Sequence, residues 1–550
     1  MIVAVLRSTL VAALLLPSLS DAQLADTTVL PTSPVRAYLQ APRLAGARWP
    51  SIGDVASEVQ RAYERVNWAP LWTDRGRPTA SALGVVRFLG AVDSLGLEPR
   101  DYDAPLLDSL VRQGPFDDST QARFEATLSV ATARALSALR WGRVRQPKAY
   151  PTLSRSRAGF DLGAGVYAVS RTRDPWPVFD QAAPQWTPYR QLQAALPTAR
   201  RLAADSLLDA GPVATGAVFH EAPRLRAVLV TLGVPADSAT PPPPADTTLD
   251  ASLARTLTRF QKSNRLKQTG AYDVPTRTRM RAILRKRVRD AELSLERWRW
   301  LPRRADGRAI IVNVPEYRLR VYDQVRGGQA PAFGMKVVVG RGVEDRFTPL
   351  FVDEVEHLIF SPFWEVPKTI AQEEIIPKLL ADSTYLARNR YILVRGTSDT
   401  ARALTPDSAT IAKIGNGVRV RQLPGDYNSL GRIKFMLPNH LNIYLHDTNE
   451  KHFFQRDERA LSHGCIRVSE PTRLAGWILE GDTAWSDDRM KKAMKAGKPE
   501  TVRLDSHIPV LIVYHTAGID DTGLLRSFRD VYKYDDELEQ LLAKGYPYPR

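Results

Sequence analysis

Cysteine is almost absent from this chain, whose 550 residues contain a single one, Cys465. One cysteine excludes an intramolecular disulfide, so in an oxidising compartment the thiol would stay free. An odd cysteine in an exported protein indicates either intermolecular pairing or a reactive thiol, whereas a lone cysteine elsewhere is usually a small buried hydrophobe. The residues around Cys465 favour the reactive thiol.

Long apolar runs are scarce as well. Residues 8–16 form a short apolar segment after Arg7, and Ser20-Asp21-Ala22 offers small residues at the cleavage-determining positions, so residues 1–22 are predicted to be a secretory signal peptide. The segment is well short of the ~20 residues that span a bilayer, which disfavours an uncleaved anchor. No later segment is long and apolar enough for a membrane helix, so we expect an exported protein with no membrane span after cleavage.

Acidic residues are outnumbered by basic ones. The chain has 76 Lys and Arg against 60 Asp and Glu, a formal net charge of +16, which favours contact with an anionic surface or polymer. Export argues against nucleic acid as a partner, and a carboxylate-bearing cell-wall polymer or anionic lipid head groups fit better. A generally basic composition without a specific partner is the alternative.

Three stretches with different patterns predict a multidomain α+β protein. Residues 35–205 have apolar residues at helical spacing and are predicted to form a helical scaffold domain. Residues 213–286 place amphipathic helices on both sides of a proline run at 241–244, which is therefore predicted to be a loop inside one small domain. Alternating apolar residues predict strands from 287 to 545, interrupted by a helix-like and loop-like segment at about 371–415.

The surroundings of Cys465 suit nucleophilic chemistry. His463 lies two residues before it with Gly464 between them, and His446 ends an apolar run further upstream. A thiol needs a nearby base to become a thiolate, and a glycine lets the backbone approach a reacting carbonyl. Apolar and polar residues alternate in the upstream run, so the period of two predicts that Tyr444 and His446 share one face of a strand.

This region resembles the signature of L,D-transpeptidases, the cysteine enzymes of bacterial peptidoglycan that have a YkuD-type catalytic domain. The resemblance combines a histidine at the end of a strand, a spacer, and Ser462-His463-Gly464-Cys465 followed by Arg467. The stretches that carry it are residues 431–435, 443–448 and 459–468, with further matches to the large periplasmic members at residues 296–302, 362–367 and 422–425. One departure is Arg346-Phe347-Thr348-Pro349, where the family often has Arg-Thr-Pro or Arg-Gln-Thr-Pro, and it affects only a peripheral contact.

The resemblance implies an architecture and a location. It implies a catalytic domain over residues 287–545 with a mixed, β-sandwich-like sheet, in which residues 371–415 form an insertion that caps the active site. Residues 213–286 are similar to a three-helix peptidoglycan-binding domain. The expected location is the periplasm, in association with the cell wall, and the expected partners are donor and acceptor stem peptides of peptidoglycan and possible other cell-wall enzymes, with no nucleic acid and no cofactor.

The resemblance also implies the role of each site residue. Cys465 is the nucleophile that attacks the third residue of a tetrapeptide stem, and His446 is the general base, with a thiolate–imidazolium ion pair as the resting state. Backbone N–H groups of Gly464 and Cys465 are candidates for the oxyanion site, and Tyr444 adds a hydroxyl donor. D-Alanine leaves, a thioester forms, and an amine of a neighbouring stem resolves it to give a 3→3 cross-link.

Other residues of the motif are expected to bind substrate. His463 is assigned to substrate binding or oxyanion support rather than to the base, and Ser462 is assigned to substrate binding. Arg467 has two interpretations, a two-pronged contact with a stem carboxylate or a salt bridge that braces the loop. Trp364 is expected to line the pocket, with ordinary core packing as its alternative.

Several alternative functions remain open at this level. An L,D-carboxypeptidase would use the same scaffold with water in place of the acceptor amine, and a non-catalytic wall-binding protein would have a degenerate catalytic domain. A papain-like protease is a third alternative, but its signature around the cysteine is absent. A zinc site is the alternative use of the clustered histidines and Cys465; the resemblance implies no metal.

Overall fold

The computed structural model describes residues 33–41, 43–144, 159–235, 247–303, 307–323, 330–343 and 346–548. The predicted signal peptide at residues 1–22 and the proline run at 241–244 lie outside the described residues.

The N-terminal region is helical, as predicted. Its longest helix ends before Gly142, which has a φ of 74° that favours glycine, and begins after Asp117, whose side chain accepts a hydrogen bond from the Thr120 N–H at 2.7 Å. The described helices are α1 (Pro34–Gln40), α2 (Ala56–Glu64), α3 (Ala80–Gly90), α4 (Ala104–Arg112), α5 (Asp118–Trp141), α6 (Leu162–Ser170), α7 (Trp176–Ala182) and α8 (Thr187–Ala203), with a short hairpin of β1 (Thr73–Asp74) and β2 (Arg77–Pro78).

A small helical unit follows, formed by α9 (Ala222–Thr231), α10 (Ala251–Ser263) and the first half of α11 (Val274–Trp298). It has an apolar cluster of its own that includes Leu225, Leu257 and Met280. The predicted boundary between residues 286 and 287 falls inside α11, because the first half of this helix packs in the small unit while Ala291 and Leu295 join a different cluster. The helix is therefore shared by the two units.

Gln261 of α10 is fully buried in this small unit. Its amide accepts a hydrogen bond from the Gly270 N–H at 3.0 Å and donates to Ala271 O at 3.0 Å and Thr276 Oγ1 at 2.9 Å. The side chain therefore holds the turn between α10 and α11, and the neighbouring Phe260 lies in the core.

The C-terminal region is built on a closed sheet. Eight of the described strands form a barrel in the order β5-β14-β12-β11-β6-β15-β3-β4, and β4 pairs again with β5. The pairs β12–β14 and β15–β3 are parallel and the others are antiparallel, so the barrel is mixed. Its strands are β3 (Ala309–Asn313), β4 (Arg318–Tyr322), β5 (Phe333–Gly340), β6 (Phe351–Phe360), β11 (Ile433–Met436), β12 (Leu445–His446), β14 (Ile466–Val468) and β15 (Glu500–Val513), and β13 (Ala460–Ser462) adds to the end of β5.

The barrel confirms a multidomain α+β protein and corrects the sandwich-like sheet of the prediction. Two packed sheets would leave free edges, whereas here Arg318 to Val321 of β4 pair with Phe333 to Lys336 of β5 and close the sheet on itself. Inward residues such as Leu445 and Ile466 are fully buried and fill the interior with apolar side chains.

The predicted capping insertion is a small subdomain with a sheet and a core of its own. Its sheet has the order β7-β10-β8-β9, and its apolar cluster includes Ile375, Leu393 and Val420. Two of its strands lie outside the predicted range of 371–415, so the folded unit is wider than the segment that looks irregular in sequence. Its elements are β7 (Trp364–Glu365), α12 (Lys368–Ile370), a π-helical turn (Ala371–Ile375), α13 (Ile376–Ala381), α14 (Tyr385–Arg388), β8 (Tyr391–Val394), β9 (Ala403–Leu404), α15 (Ser408–Ile411) and β10 (Arg419–Gln422).

The scaffold and the barrel pack against each other through one continuous apolar cluster. Buried Glu296 at the end of α11 attaches this helix to the segment after α5, because it accepts hydrogen bonds from the Val144 N–H at 3.1 Å and from the Arg299 guanidinium at 3.3 Å. The remaining elements are α16 (Pro471–Ile478), α17 (Asp487–Met494), β16 (Ala517–Ile519), β17 (Leu525–Ser527) and α18 (Tyr534–Ala543). None of the helices in the described parts of the chain is long and apolar enough to cross a membrane.

Candidate active site

The candidate site lies on the outer face of the barrel. Lys434 pairs with His446 across β11 and β12, and His446 pairs with Arg467 across β12 and β14. Because side chains alternate between the faces of a strand, these residues point away from the apolar interior. Tyr444 and Cys465 lie two residues before His446 and Arg467 and share this face. The rings of Tyr444 and His446 are 5.6 Å apart, as the predicted period of two requires.

A tight turn between β13 and β14 presents Cys465. The buried hydroxyl of Ser462 donates to Cys465 O at 2.6 Å and accepts the Gly464 N–H at 3.1 Å. Gly464 has a φ of 123°, a conformation that L side chains rarely adopt. Thr348 Oγ1 donates to Gly464 O at 2.7 Å and accepts the Gly340 N–H at 2.8 Å, which ties the turn to β5.

These contacts change the expected roles of two residues. Ser462 was expected to bind substrate, but its hydroxyl is buried and hydrogen-bonded inside the turn, so it braces the turn. Gly464 was expected to offer its N–H to an oxyanion, but that N–H donates to Ser462.

The sulfur of Cys465 lies beside Tyr444. The thiol donates to Asn442 O at 3.6 Å, and the backbone N–H and hydroxyl of Tyr444 both act to lower the pKa of the thiol. Burial raises the pKa of the Cys465 thiol, while Tyr444, Lys434 and Arg467 oppose that rise. The pKa of Tyr444 lies well above its ordinary value, mainly because of burial, so its hydroxyl keeps the proton that it donates.

His446 is held in a single tautomer. Its Nδ1 bonds to the carbonyl oxygen of Asp447, which can only accept, so Nδ1 carries the proton and Nε2 has a free lone pair. Burial lowers the pKa of His446 to about 3, helped by the charges of Arg467 and Lys434. A raised thiol pKa and a lowered imidazole pKa both favour the uncharged pair. The expected thiolate–imidazolium resting state is therefore not what these surroundings favour in the free protein.

Among the described residues, no hydrogen bond joins His446, the expected base, to Cys465, the expected nucleophile. The two residues share the face, but Cys465 lies in the turn before β14, two residues before Arg467, which is the residue that pairs with His446.

His463 is held by the insertion. Its Nε2 lies 2.6 Å from Glu374 Oε1 in the π-helical turn, and Arg346 pairs with the neighbouring Glu373 at 2.7 Å. The subdomain is thereby attached to the residues directly before Cys465. Trp364, expected to line the pocket, is half-buried and packs against the cluster of the insertion, with its ring 6.3 Å from that of Tyr391.

Arg467 forms a salt bridge with Glu450 at 2.5 Å and lies over the ring of Phe453 at 5.5 Å. The salt bridge of one interpretation is therefore present, and the contact with a stem carboxylate stays a prediction. Within the described ranges, no group of three or more His, Cys, Asp and Glu side chains is arranged to hold a metal ion.

Sequence reasoning missed three residues that support this site: Thr348, Glu374 and Lys434. Thr348 lies in the tetrapeptide that was judged peripheral, and Glu374 lies in the insertion, far from Cys465 in sequence. Lys434 belongs to the stretch 431–435, which carries part of the family resemblance, but the resemblance implies no catalytic or binding role for it. The signal for Lys434 was available, because a charged residue between Ile433 and Phe435 of a strand must face away from the core.

Known proteins resemble the chain in both large regions. Residues 307–486 match the family model of the YkuD L,D-transpeptidase catalytic domain, and residues 57–196 match that of the Scaffold domain. A protein of Haemophilus influenzae named "Putative L,D-transpeptidase" is 32% identical over 248 residues, which are 45% of this chain and 48% of that protein. The chain thus spans about half the length of the curated relative that it matches. Together with the barrel, these matches give the chain a YkuD-type L,D-transpeptidase catalytic domain at residues 307–486 behind a Scaffold domain at residues 57–196.

Proposed function

We propose that the protein forms 3→3 cross-links in peptidoglycan through a thioester on Cys465. The observation that carries this proposal is the placement of the sulfur. It lies on the outer face of the barrel beside Tyr444, in the turn that leads into β14, and the neighbouring strand β12 carries a neutral His446 whose Nε2 can accept a proton. The site thus offers a nucleophile, a base and polar groups around the sulfur. These are the groups that acyl transfer by the matched catalytic domain would need.

The first half-reaction transfers an acyl group to the enzyme. His446 Nε2 takes the thiol proton while Sγ attacks the carbonyl carbon of the third stem residue, a diamino acid. The resulting oxyanion is stabilised by the Cys465 N–H and the Tyr444 hydroxyl, and losing one such donor typically costs ~3–4 kcal/mol of transition-state stabilisation. The bond to D-alanine breaks, the imidazolium protonates the leaving amine, and a thioester remains.

The second half-reaction returns the thiol. An amine from a neighbouring stem attacks the thioester carbonyl and gives its proton to His446, the C–S bond breaks, and the sulfur is reprotonated. Water in place of the amine would release a tripeptide stem. The insertion that holds His463 favours the amine, because a covered site excludes water and gives a positioned amine a high effective molarity.

The small unit at 213–286 is proposed to hold the enzyme on the wall. Lys262, Arg265 and Lys267 are exposed together at the end of α10 and the following turn, where they can attract the carboxylates of stem peptides. Gln261 is unavailable for this role because it is buried. The protein would act in the periplasm after export, on donor and acceptor stems and alongside possible other cell-wall enzymes.

A carbapenem tests the nucleophile and a muropeptide assay tests the reaction. Intact mass should show one covalent adduct on the full chain, lost in Cys465→Ala and kept in His440→Ala, an exposed loop histidine. An adduct on Cys465→Ala would refute the assignment of the nucleophile. Incubation with tetrapeptide stems should then yield 3→3 dimers.

The products separate the alternatives. Tripeptides alone, in the presence of abundant acceptor stems, would make the protein an L,D-carboxypeptidase. Sedimentation with peptidoglycan without adduct or product would make it a non-catalytic wall-binding protein.

A further inference from the structure

A lysine without a carboxylate partner faces the reactive thiol. Lys434 lies on β11, its Nζ is 3.9 Å from the centre of the Tyr444 ring, and its charge acts on Cys465. Across the described residues Lys434 forms neither a salt bridge nor a hydrogen bond. A cation over the face of an aromatic ring is attracted by the ring quadrupole, so the ring of Tyr444 holds the ammonium group in place.

The other charges around the site are already paired. Arg467 is bound to Glu450, and Lys451 is bound to Asp447 beside His446. Glu365 of the insertion also acts on Lys434, but its carboxylate is bound to Arg421.

The remaining titratable groups near the thiol carry no compensating charge. His446 is neutral, Tyr444 is protonated, and His463 is held by Glu374. A negative charge that appears on Cys465 therefore meets one cation whose charge is not already neutralised, and the half-buried position of that cation limits screening by solvent.

We propose that Lys434 stabilises the Cys465 thiolate and thereby allows His446 to deprotonate the thiol near neutral pH. This inference deepens the proposed function and rests on it, because it concerns the same nucleophile. It also explains how a site that favours the uncharged pair at rest can react. Lys434 interacts only weakly with the neutral thiol and strongly with the thiolate. An interaction that appears only as the negative charge forms lowers the barrier to reaction instead of stabilising the ground state.

The burial of Lys434 is consistent with this role. Burial lowers the pKa of Lys434, and the sulfur of Cys465 is the main group that opposes this decrease. A buried ammonium without a counter-ion is costly for folding, so formation of the thiolate supplies the partner that the folded protein otherwise lacks.

Alkylation by iodoacetamide tests the proposal without any stem peptide. The thiolate sulfur displaces iodide, and the rate as a function of pH gives the apparent pKa of Cys465. In the full chain, Lys434→Met should raise that pKa by about one unit and slow alkylation at pH 7 by about tenfold, at the lower end of the ~1–3 units by which a nearby opposite charge shifts a pKa. Lys434→Arg should keep the wild-type profile, as should Lys336→Met on strand β5, a matched loss of one exposed lysine in the same barrel.

A folded Lys434→Met variant with the wild-type alkylation profile would overturn the proposal, and a loss of turnover alongside it would assign Lys434 to substrate binding. Lys434→Gln provides a second neutral side chain, and circular dichroism shows which variants are folded. If the wild-type protein alkylates once at Cys465 but makes no cross-links, the proposed function fails while the test of Lys434 stands.

Discussion

Glu374 and His463 are 89 residues apart in sequence, and their side chains meet at 2.6 Å, two residues before Cys465. One belongs to the insertion and the other to the turn that presents Cys465. The contact makes the position of the insertion and the conformation of the turn dependent on each other. A movement of the insertion is therefore transmitted through this pair to the turn that carries Cys465.

Loosening this contact should change which acceptor resolves the thioester. In Glu374→Gln the charge-assisted hydrogen bond is lost, and we expect carbapenem acylation to be little changed while the ratio of free tripeptide to 3→3 dimer rises in mass spectrometry of the products. Glu373→Gln, which removes the exposed pair with Arg346, is the matched control. An unchanged product ratio in Glu374→Gln would show that the insertion excludes water without this contact.

His446 should be the base and His463 should not. His446→Ala is expected to lower the acylation rate at neutral pH by about 10²–10⁴-fold, with partial recovery at high pH as the thiolate forms unaided. His463→Ala should have a smaller effect, because its Nε2 is engaged by Glu374. Stopped-flow acylation by a carbapenem over a range of pH measures both. The opposite order of the two variants would reverse the roles.

Acid should destabilise the folded protein through His446. Its pKa is lowered to about 3 in the folded chain and is ~6.5 when unfolded. Between these values the unfolded chain binds a proton that the folded chain does not, so stability falls as the pH falls from about 6.5 towards 3.

In His446→Gln the urea midpoint should therefore decrease less between pH 7.5 and pH 5 than in the wild type. Buried His515, whose pKa is also lowered by burial, leaves part of the pH dependence in place. If the urea midpoints of the two proteins change equally with pH, the pH dependence of stability does not come from His446.

Thr348 should matter to both folding and activity, although its segment departs from the family pattern. Thr348→Val keeps the shape but removes the hydrogen bonds to Gly464 O and the Gly340 N–H, and the loss should cost about 1–3 kcal/mol of unfolding free energy because the site is fully buried. Acylation should slow as the turn loses its tie to β5. Thr278→Val, exposed on α11, is the control for the substitution itself.

Both quantities are measurable on the same samples, by urea titration and by carbapenem kinetics. A loss of stability with a wild-type acylation rate would restrict Thr348 to a role in folding.

Wall binding should depend on the basic side chains of the small unit. The triple variant Lys262→Ser, Arg265→Ser and Lys267→Ser is expected to sediment less with insoluble peptidoglycan at low salt, with unchanged acylation of Cys465. Substitution is preferable to deletion because α11 continues into the catalytic unit. The control is a second triple variant that removes the same charge from exposed lysines in and just after α17, namely Lys491→Ser, Lys492→Ser and Lys495→Ser. Equal losses in the two triple variants would point to net charge rather than to the small unit.

The parts of the site that are contiguous in sequence could be predicted from it. The order Ser-His-Gly-Cys identifies Cys465, and the period of two correctly places Tyr444 and His446 together, because both are consequences of local chain geometry. Thr348 and Glu374 approach the turn only through tertiary contacts with strand β5 and the insertion. Their roles depend on packing that no local pattern records.

Closure of the barrel was also beyond the local pattern. Alternation of apolar residues predicts that β4 and β5 are strands, but a sandwich and a barrel share that alternation and differ in whether these two strands pair at the end. The hydrogen bond of the Gly464 N–H was likewise beyond the local pattern. The sequence does not show where this N–H points. In the structure it donates to the hydroxyl of Ser462, two residues earlier.

The placement of the thiol on the convex side of a filled barrel has a topological consequence. A peptidoglycan sacculus is a continuous mesh, and its interior stems cannot be threaded through a tunnel or swallowed by a deep cleft. If the proposed function is right, a thiol on the outer face of the barrel beside the insertion approaches such a mesh from the side, at any point along its length. The protein would then leave sideways after each reaction, without needing a chain end.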